Sequence, residues 1–306
     1  MTVPMTVPSS RLVSVRRHDG ARDAWHVASL APPPALSGLV DGYADYRERT
    51  SFTTRRELPH AQAVLIVNLA EPIGIVGGDG RQITVRAGEG FVAGAHLAPA
   101  LSRSGGTQAG MHVFLPLSSL RRLLGCPLTD LVDRVAPLDA VLGSAALQLG
   151  QALAEAPDGA GRMAVLDDAL TRRFAALPGL PLAQMHALAL LRHRPDLDIA
   201  DIAREIGWSA KHLAARVKDA LGVGPRTYRR LMRFEALTRR LGGAPMEGAS
   251  GGWAGVAIDA GYCDQSHMIR EFREFAGLTP GQYLARSLPD GGGLVESGPG
   301  DGTVAG

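Results

Sequence analysis

Cysteine is nearly absent from this chain of 306 residues, with Cys126 and Cys263 the only two. Two cysteines are too few for a disulfide framework, and these are too isolated for a zinc site, which needs clustered ligands. Lysine is as scarce: Lys211 and Lys218 are the whole supply. No run of about 18 uninterrupted apolar residues occurs, which argues against a membrane span. The opening MTVPMTVPSSR lacks an apolar core of signal-peptide type and is broken by Pro4 and Pro8. Its repeated MTVP leaves Met1 and Met5 as alternative starts. Gly-x-Ser-x-Gly, phosphate-loop and dinucleotide fingerprints are missing too. These absences lead to the expectation of a cytoplasmic protein with no membrane partner, no cofactor, no metal and no catalytic residue.

What is present is ordinary in bulk and uneven in detail. A hydrophobic content of 45% with 20% charged residues suits a soluble globular protein long enough for two domains. The net charge of +2 hides a basic stretch. Between Arg204 and Arg240 ten Lys or Arg face three acids, Glu205, Asp219 and Glu235, and both lysines lie inside it. Charge alone fits a solvated face as well as a nucleic-acid surface.

The chain changes character along its length. Residues 1–35 are Pro-rich, weakly patterned and expected to be mostly irregular. From 36 to 118, VLIVNLA (64–70), IGIVGG (73–78), RQITVRAG (81–88) and MHVFLPL (111–117) read as strands, with Gly77-Gly78-Asp79-Gly80 as a hairpin turn. Several short strands with regular turns point to a small barrel or sandwich. Helices are expected at Ser118–Leu124, Ala140–Glu155 and Ala164–Ala176, the last two parted by Pro-Asp-Gly-Ala-Gly (157–161). Pro178-Gly179-Leu180-Pro181 reads as a domain boundary. Residues 289–306 carry too little apolar content to fold and are expected to be a disordered tail. The fold class is therefore α+β: a strand-rich first domain with helices over 36–180, then an all-helical domain over 182–288.

An internal repeat carries the functional reading. Residues 199–228 (IADIAREIGWSAKHLAARVKDALGVGPRTY) and 253–283 (WAGVAIDAGYCDQSHMIREFREFAGLTPGQY) share one pattern. Ala203 and Gly207 pair with Ala257 and Gly261 at an offset of 54, and Leu213, Val217, Gly222, Pro225 and Tyr228 pair with Met268, Phe272, Gly277, Pro280 and Tyr283 at 55. The extra residue falls in the turn between two helices, where insertion costs least. Ile199, Ile202, Ala203 and Ile206 form one apolar stripe, which Gly207 ends. Ser209 and Asp264 are good N-caps for a second helix in each copy. In those helices Leu213, Val217 and Ala220, and Met268, Phe272 and Phe275, face inward. Lys211, Ala214, Ala215 and Lys218, and Ser266, Ile269, Arg270 and Arg273, face outward. Gly222 and Gly277 end the helices, and Pro225 and Pro280 open the next ones. A short helix, a turn with Gly and a helix with a polar face is the helix-turn-helix plan, whose second helix suits the major groove. A joining helix over about Arg226–Leu241 offers Arg226, Arg229, Arg230, Arg233, Arg239 and Arg240 to phosphates or solvent.

At these residues the chain resembles the AraC/XylS family of bacterial transcription regulators. GYCDQSHMIREFREFAGLTPGQY is similar to that family's GF-x-DQSHF-x-R-x-F-K-x-x-x-G-x-TP-x-x-Y signature. The resemblance covers about residues 182–287 and implies recognition helices at about 210–220 and 265–275. It implies base-facing Lys211, Ala214 and Ala215 in the first, and Gln265, Ser266, Ile269 and Arg270 in the second. Ser209, His212, Arg216, Lys218, Asp264, His267 and Arg273 are the flanking or backbone-contacting set. Two alanines can touch a thymine methyl but cannot discriminate by hydrogen bonds, so the second helix is expected to contribute more specificity. Trp208 and Trp253 are expected in the core, and Cys263 as a small, partly buried side chain.

YADYRERT (43–50), ELPHAQAVLIVNL (57–69), EGFVAGAHLAPA (89–100) and GCPLTDLVDRV (125–135) are similar to the cupin-like sensor halves that accompany such domains. That likeness implies a barrel that senses an effector, pairs subunits, or both. The partners it implies are double-stranded DNA, a small-molecule effector whose binding residues the sequence does not name, a second copy in a homodimer, and RNA polymerase if the protein activates. Two alternatives compete with a sensor: a constitutive regulator whose first half only dimerises, and a cupin-type metalloenzyme. The second lacks its His-x-His pair, since His18, His26, His60, His96 and His112 are scattered. An alkyl-transfer repair protein would need activated cysteines, and neither cysteine has a suitable neighbourhood.

Overall fold

The computed structural model describes residues 9–243 and 252–296. It opens on a hairpin, β1 (Leu12–Asp19) and β2 (Ala24–Leu30), where an irregular segment was expected. The hairpin escaped notice because β1 is an edge strand, exposed almost throughout, and so carries no alternation. β2 buries Trp25 on one face and Ala28 and Leu30 on the other. Residues 1–8 lie outside the described part.

Nine further strands follow among the described residues: β3 (Gly42–Arg49), β4 (Thr54–Glu57), β5 (Gln62–Asn68), β6 (Ile73–Val76), β7 (Gln82–Val85), β8 (Gly90–Ala93), β9 (Ala100–Arg103), β10 (Thr107–Pro116) and β11 (Val135–Pro137). They form two sheets, ordered β1-β2-β3-β10-β5-β8-β11 and β4-β9-β6-β7, every pairing antiparallel. Together the sheets make a small barrel around an internal cavity. The four strands expected from sequence coincide with β5, β6, β7 and β10. Gly80 takes the left-handed conformation (φ 80°) in the β6–β7 turn.

α1 (Leu117–Leu124) packs under the barrel and is closed by left-handed Gly125. The single helix expected over Ala140–Glu155 is two, α2 (Leu138–Leu142) and α3 (Ser144–Glu155). Gly143 parts them at φ 61°, ψ −140°, a conformation no helix can carry. α4 (Gly159–Ala175) starts earlier than expected because Asp158 caps it by accepting from the Gly161 amide. It is tied to the sheet by buried Arg162, which donates to Asp45 of β3 at 2.8 Å. Tyr43 and Arg11 both bind Asp167 on the same helix.

The helical part comprises α5 (Leu182–His193), α6 (Ile199–Ile206), α7 (Ala210–Leu221), α8 (Pro225–Gly243), α9 (Gly252–Asp259), α10 (Gln265–Ala276) and α11 (Pro280–Arg286). It shares one continuous hydrophobic cluster with the barrel and α1–α4. Arg121 of α1 pairs with Asp219 of α7 at 3.2 Å, and the Ala61 amide donates to Glu235 of α8. Left-handed Gly222 lies so close to the Leu128 carbonyl that a Cβ there would sit 2.9 Å from it.

After α11 the chain returns to the barrel instead of trailing off. The expected disordered tail is thus corrected for residues 289–296, while 297–306 lie outside the described residues. The Arg56 amide donates to the Leu294 carbonyl at 2.9 Å, and the Glu296 amide to that of Thr54 at 3.2 Å, which adds a pairing to the open edge of β4. Leu294 is buried, and Glu296 ion-pairs with Arg56 at 2.6 Å. Backbone pairing needs little apolar content, so composition could not reveal it.

Candidate nucleic-acid interface and barrel cavity

Each repeat copy forms two helices with a tight turn, closed by a left-handed glycine, and a serine or aspartate cap. In the first, α6 ends at Gly207 (φ 75°), and the Ser209 hydroxyl accepts from the His212 amide at 3.1 Å to start α7. Leu213, Val217 and Ala220 are fully buried, as their spacing requires. Each such aliphatic side chain removed from water contributes on the order of 1.5–3 kcal/mol for a Val or Leu. Lys211, His212, Ala215 and Lys218 are exposed, as is Ser209, and Ala214 is half-buried. Arg216 sits apart from them. It donates to the Oε1 of Gln184 on α5 at 2.8 Å, and the Gln184 amide donates to the Arg216 carbonyl at 2.8 Å. Gln184 is only 1% exposed, so this reciprocal pair is a brace between helices.

In the second copy Asp264 accepts from the His267 amide at 2.7 Å. Met268, Phe272 and Phe275 are buried, and Gln265, Ser266, Arg270 and Arg273 are exposed. Ile269, expected outward, is half-buried and packs partly against the core. His267 is half-buried, edge-on to the Tyr262 ring at 5.2 Å. Cys263, expected to be partly buried, is exposed, as is Cys126. Trp208 and Trp253 are half-buried against the core.

The joining helix α8 divides its arginines: Arg226, Arg239 and Arg240 are exposed to solvent, while Arg229, Arg230 and Arg233 are half-buried. Arg230 and Arg233 both bind Glu271 of α10, at 2.8 and 2.9 Å, and Arg230 also binds Glu274. Arg239 pairs with Glu235, Arg240 with Asp259, and Arg229 donates to the Arg194 carbonyl. Arg226 is exposed. Glu271 is 4% exposed. Burial pushes its carboxyl up, but the hydrogen bonds and charges of the two guanidiniums outweigh that and hold it below the usual carboxylate range. Sequence reading missed both Gln184 and Glu271 because each looks like an ordinary surface polar residue on a helix.

The barrel encloses a cavity of about 360 Å³. Its walls carry Val64, Ile66, Ile75, Phe91 and Phe114, and His112 lies among them. Burial pushes the His112 imidazole down to about 4, helped by the charge of Arg55, so it is neutral at pH 7. Burial also lowers His60, with His96 adding to it. Arg55 pairs with Glu48 at 2.6 Å, yet burial keeps the Glu48 carboxyl above its usual range. Among the described residues no three His, Cys, Asp or Glu side chains converge as metal ligands, and no helix is long and apolar enough to cross a membrane.

The family described as a helix-turn-helix domain matches residues 202–286. Over 107 residues the chain is 32% identical to a Streptomyces antibioticus protein described as an AraC-like transcription regulator, a match covering 34% of this chain and 33% of that protein. The chain thus spans about a third of the length of this curated relative. Among solved structures, an apo variant of ToxT from Vibrio cholerae superposes with a TM-score of 0.46 at 12% identity, over 88% of this chain and 98% of that one. An AraC-type regulator from Chromobacterium violaceum gives 0.30 at 22% identity, over 34% and 90%. CuxR, an AraC-like transcriptional activator, gives 0.35 at 18% identity, over 74% and 86%.

Proposed function

We propose, from the premise that residues 202–286 are a helix-turn-helix domain of the AraC type, that this chain is a sequence-specific regulator of transcription on double-stranded DNA. The observation that carries the reading is the matched pair of second helices. α7 and α10 are equally long, each is capped at its start, each is braced from an earlier helix, and each exposes polar residues in its first turns. α7 and α10 enter successive major-groove segments, roughly 34 Å apart along the duplex. Lys211, Gln265, Ser266 and Arg270 face the bases, with Ala214, Ala215 and Ile269 as apolar contacts. Ser209, His212, Lys218, Asp264, His267 and Arg273 flank them, and Arg216 acts through α5. The helix amides at both N-termini add to phosphate binding.

The barrel is the sensing half, and its cavity favours an effector over a purely constitutive regulator. The protein is then a binding protein of the cytoplasm and not a catalyst, with a second copy and RNA polymerase as further partners.

The test is a titration of labelled random-sequence duplex with the full chain at several salt concentrations. Binding that weakens steeply with salt is expected, because Lys and Arg displace counterions from phosphates. Absence of binding at low salt, or binding indifferent to salt, would overturn the reading.

A further inference from the structure

A helix held at one point can swivel about it, whereas a helix held at two has a fixed axis. Each reading helix has one hold inside the helical domain, near its middle: Arg216 on Gln184 for α7, and Glu271 on Arg230 and Arg233 for α10. The second hold, at the C-terminal end of each helix, comes from the barrel half.

For α7 that hold is Arg121 of α1, which pairs with Asp219 in the last turn at 3.2 Å, while the Leu128 carbonyl lies against the closing Gly222. For α10 it is Arg56. Side chains alternate along β4, so Arg55 and Glu57 line the cavity while Arg56 points away from it. Arg56 Nη1 donates to the carbonyl of Ala276, the last residue of α10, at 3.2 Å. That carbonyl is one of the four that a helix leaves without an internal partner, and a cation there complements the helix dipole. A Cβ on the next residue, Gly277, would lie 3.0 Å from Nη1, so the guanidinium is seated directly on the helix end.

The returning segment aims Arg56. Its other two nitrogens, Nε and Nη2, donate to the two carboxylate oxygens of Glu296 at 2.7 and 2.6 Å. This planar, two-bonded pair leaves Nη1 a single direction. Glu296 is itself held: its amide donates to the Thr54 carbonyl, and its own carbonyl accepts from Arg286 Nη1 of α11 at 2.7 Å. One guanidinium, its side chain 16% exposed, therefore ties β4, the returning segment and the end of α10 together.

We infer that Arg56 and Arg121 are positioning residues for DNA reading, through which the barrel half sets the axis of each reading helix from its C-terminal end. The first turns, with Lys211, Gln265 and Ser266, stay free for base edges, the part of a recognition helix that meets them. This rests on α7 and α10 being the base-reading pair. Sequence preference then belongs to the whole chain and not to residues 182–288 alone, and each arginine governs the half-site of the helix that it holds.

Two measurements on the full chain test this. Cys126, just after α1, and Cys263, just before α10, are the chain's only cysteines, and both are exposed. A nitroxide on each reports the placement of α10 against the barrel half by double electron–electron resonance. A narrow distance distribution is expected for the parent, and one at least twice as wide for Arg56→Gln. On the duplex that the parent selects from random DNA, Arg56→Gln is expected to lower the ratio of specific to random-duplex affinity at least tenfold, the lost preference confined to the base pairs under α10. Arg121→Gln is expected to do the same under α7. Glu296→Gln, which removes the acid that aims Arg56, is expected to widen the distribution and lower the ratio at least threefold under α10, so the inference stays testable if Arg56→Gln does not fold. Equal distance distributions in the parent, Arg56→Gln and Glu296→Gln would overturn it. So would losses spread evenly over both half-sites, the result of general destabilisation. If the parent selects no duplex, the regulator reading falls, and the labels alone decide whether Arg56 fixes α10.

Discussion

Arg216 and Glu271 occupy the same place in the two repeats, 55 residues apart, and each holds its helix to the helix that comes just before its unit's first helix. Arg216 fixes α7 to α5 through Gln184, and Glu271 fixes α10 to α8 through Arg230 and Arg233. The chemistry differs, a guanidinium on a neutral amide in one and a buried carboxylate between two guanidiniums in the other, but the position is shared. The exposed first turns of both helices are thereby held by side chains further along the same helices.

Glu271→Ala is accordingly expected to lower stability by about 1–3 kcal/mol, since it strands two partly buried guanidinium partners. It should also weaken specific DNA binding more than nonspecific binding, because α10 loses its fixed angle. Urea unfolding and parallel titrations of specific and random duplexes check this. A stability within about 0.5 kcal/mol of the parent, as for a neutral surface change, would contradict the brace.

Acid is expected to destabilise the protein in two separate windows. His112 is held at about 4 in the fold, against about 6.5 when unfolded. Its depressed value means full stability above pH 6.5 and a loss as pH falls toward 4, up to about 3 kcal/mol. Glu271 is also held low, so its contribution is intact above the ordinary glutamate value of about 4.3 and fades below it. Melting temperatures from pH 7 to pH 5 should therefore fall in the parent and stay flatter in His112→Gln. An equal fall in both would assign the window to another group.

The two reading helices should differ in weight. Gln265→Ala or Arg270→Ala is expected to cost about 1–3 kcal/mol on a cognate duplex and to relax preference at the matching base pairs. Ala214→Ser and Ala215→Ser should change affinity little. Larger penalties in the half-site of α7 than in that of α10 would reverse this order.

Gly292→Val should lift the returning segment from Trp25, because the added side chain meets the indole. Hydrogen exchange at the Arg56 and Glu296 amides is expected to quicken by at least tenfold, since both are held by the β4 pairing. Unchanged protection at these amides would show that the segment has room to shift.

The parts readable from sequence were those fixed by neighbours. Ser209 and Asp264 cap because the acceptor lies three residues from the donor, and Gly207, Gly222 and Gly277 end helices by their own left-handed backbone. Leu213 and Phe272 are buried because helical spacing puts them there. What was hidden depends on distant partners. Gln184 and Arg216 are 32 residues apart, Arg230 and Glu271 are 41, and Arg56 and Glu296 are 240. Edge strand β1 gave no alternation to read, and the open edge of β4 that receives Leu294 and Glu296 exists only once β9 has paired on its other side. His60, His96 and His112 looked scattered in sequence until the barrel closed around them.

The measurement that bears most directly on the whole account is selection of binding sites by the full chain from randomised duplex DNA, followed by sequencing. The expected result is an enriched motif with two reading segments about one helical turn apart, the more strictly specified one lost when Gln265 and Arg270 are both replaced by Ala. A pool that stays flat at every salt concentration would contradict it.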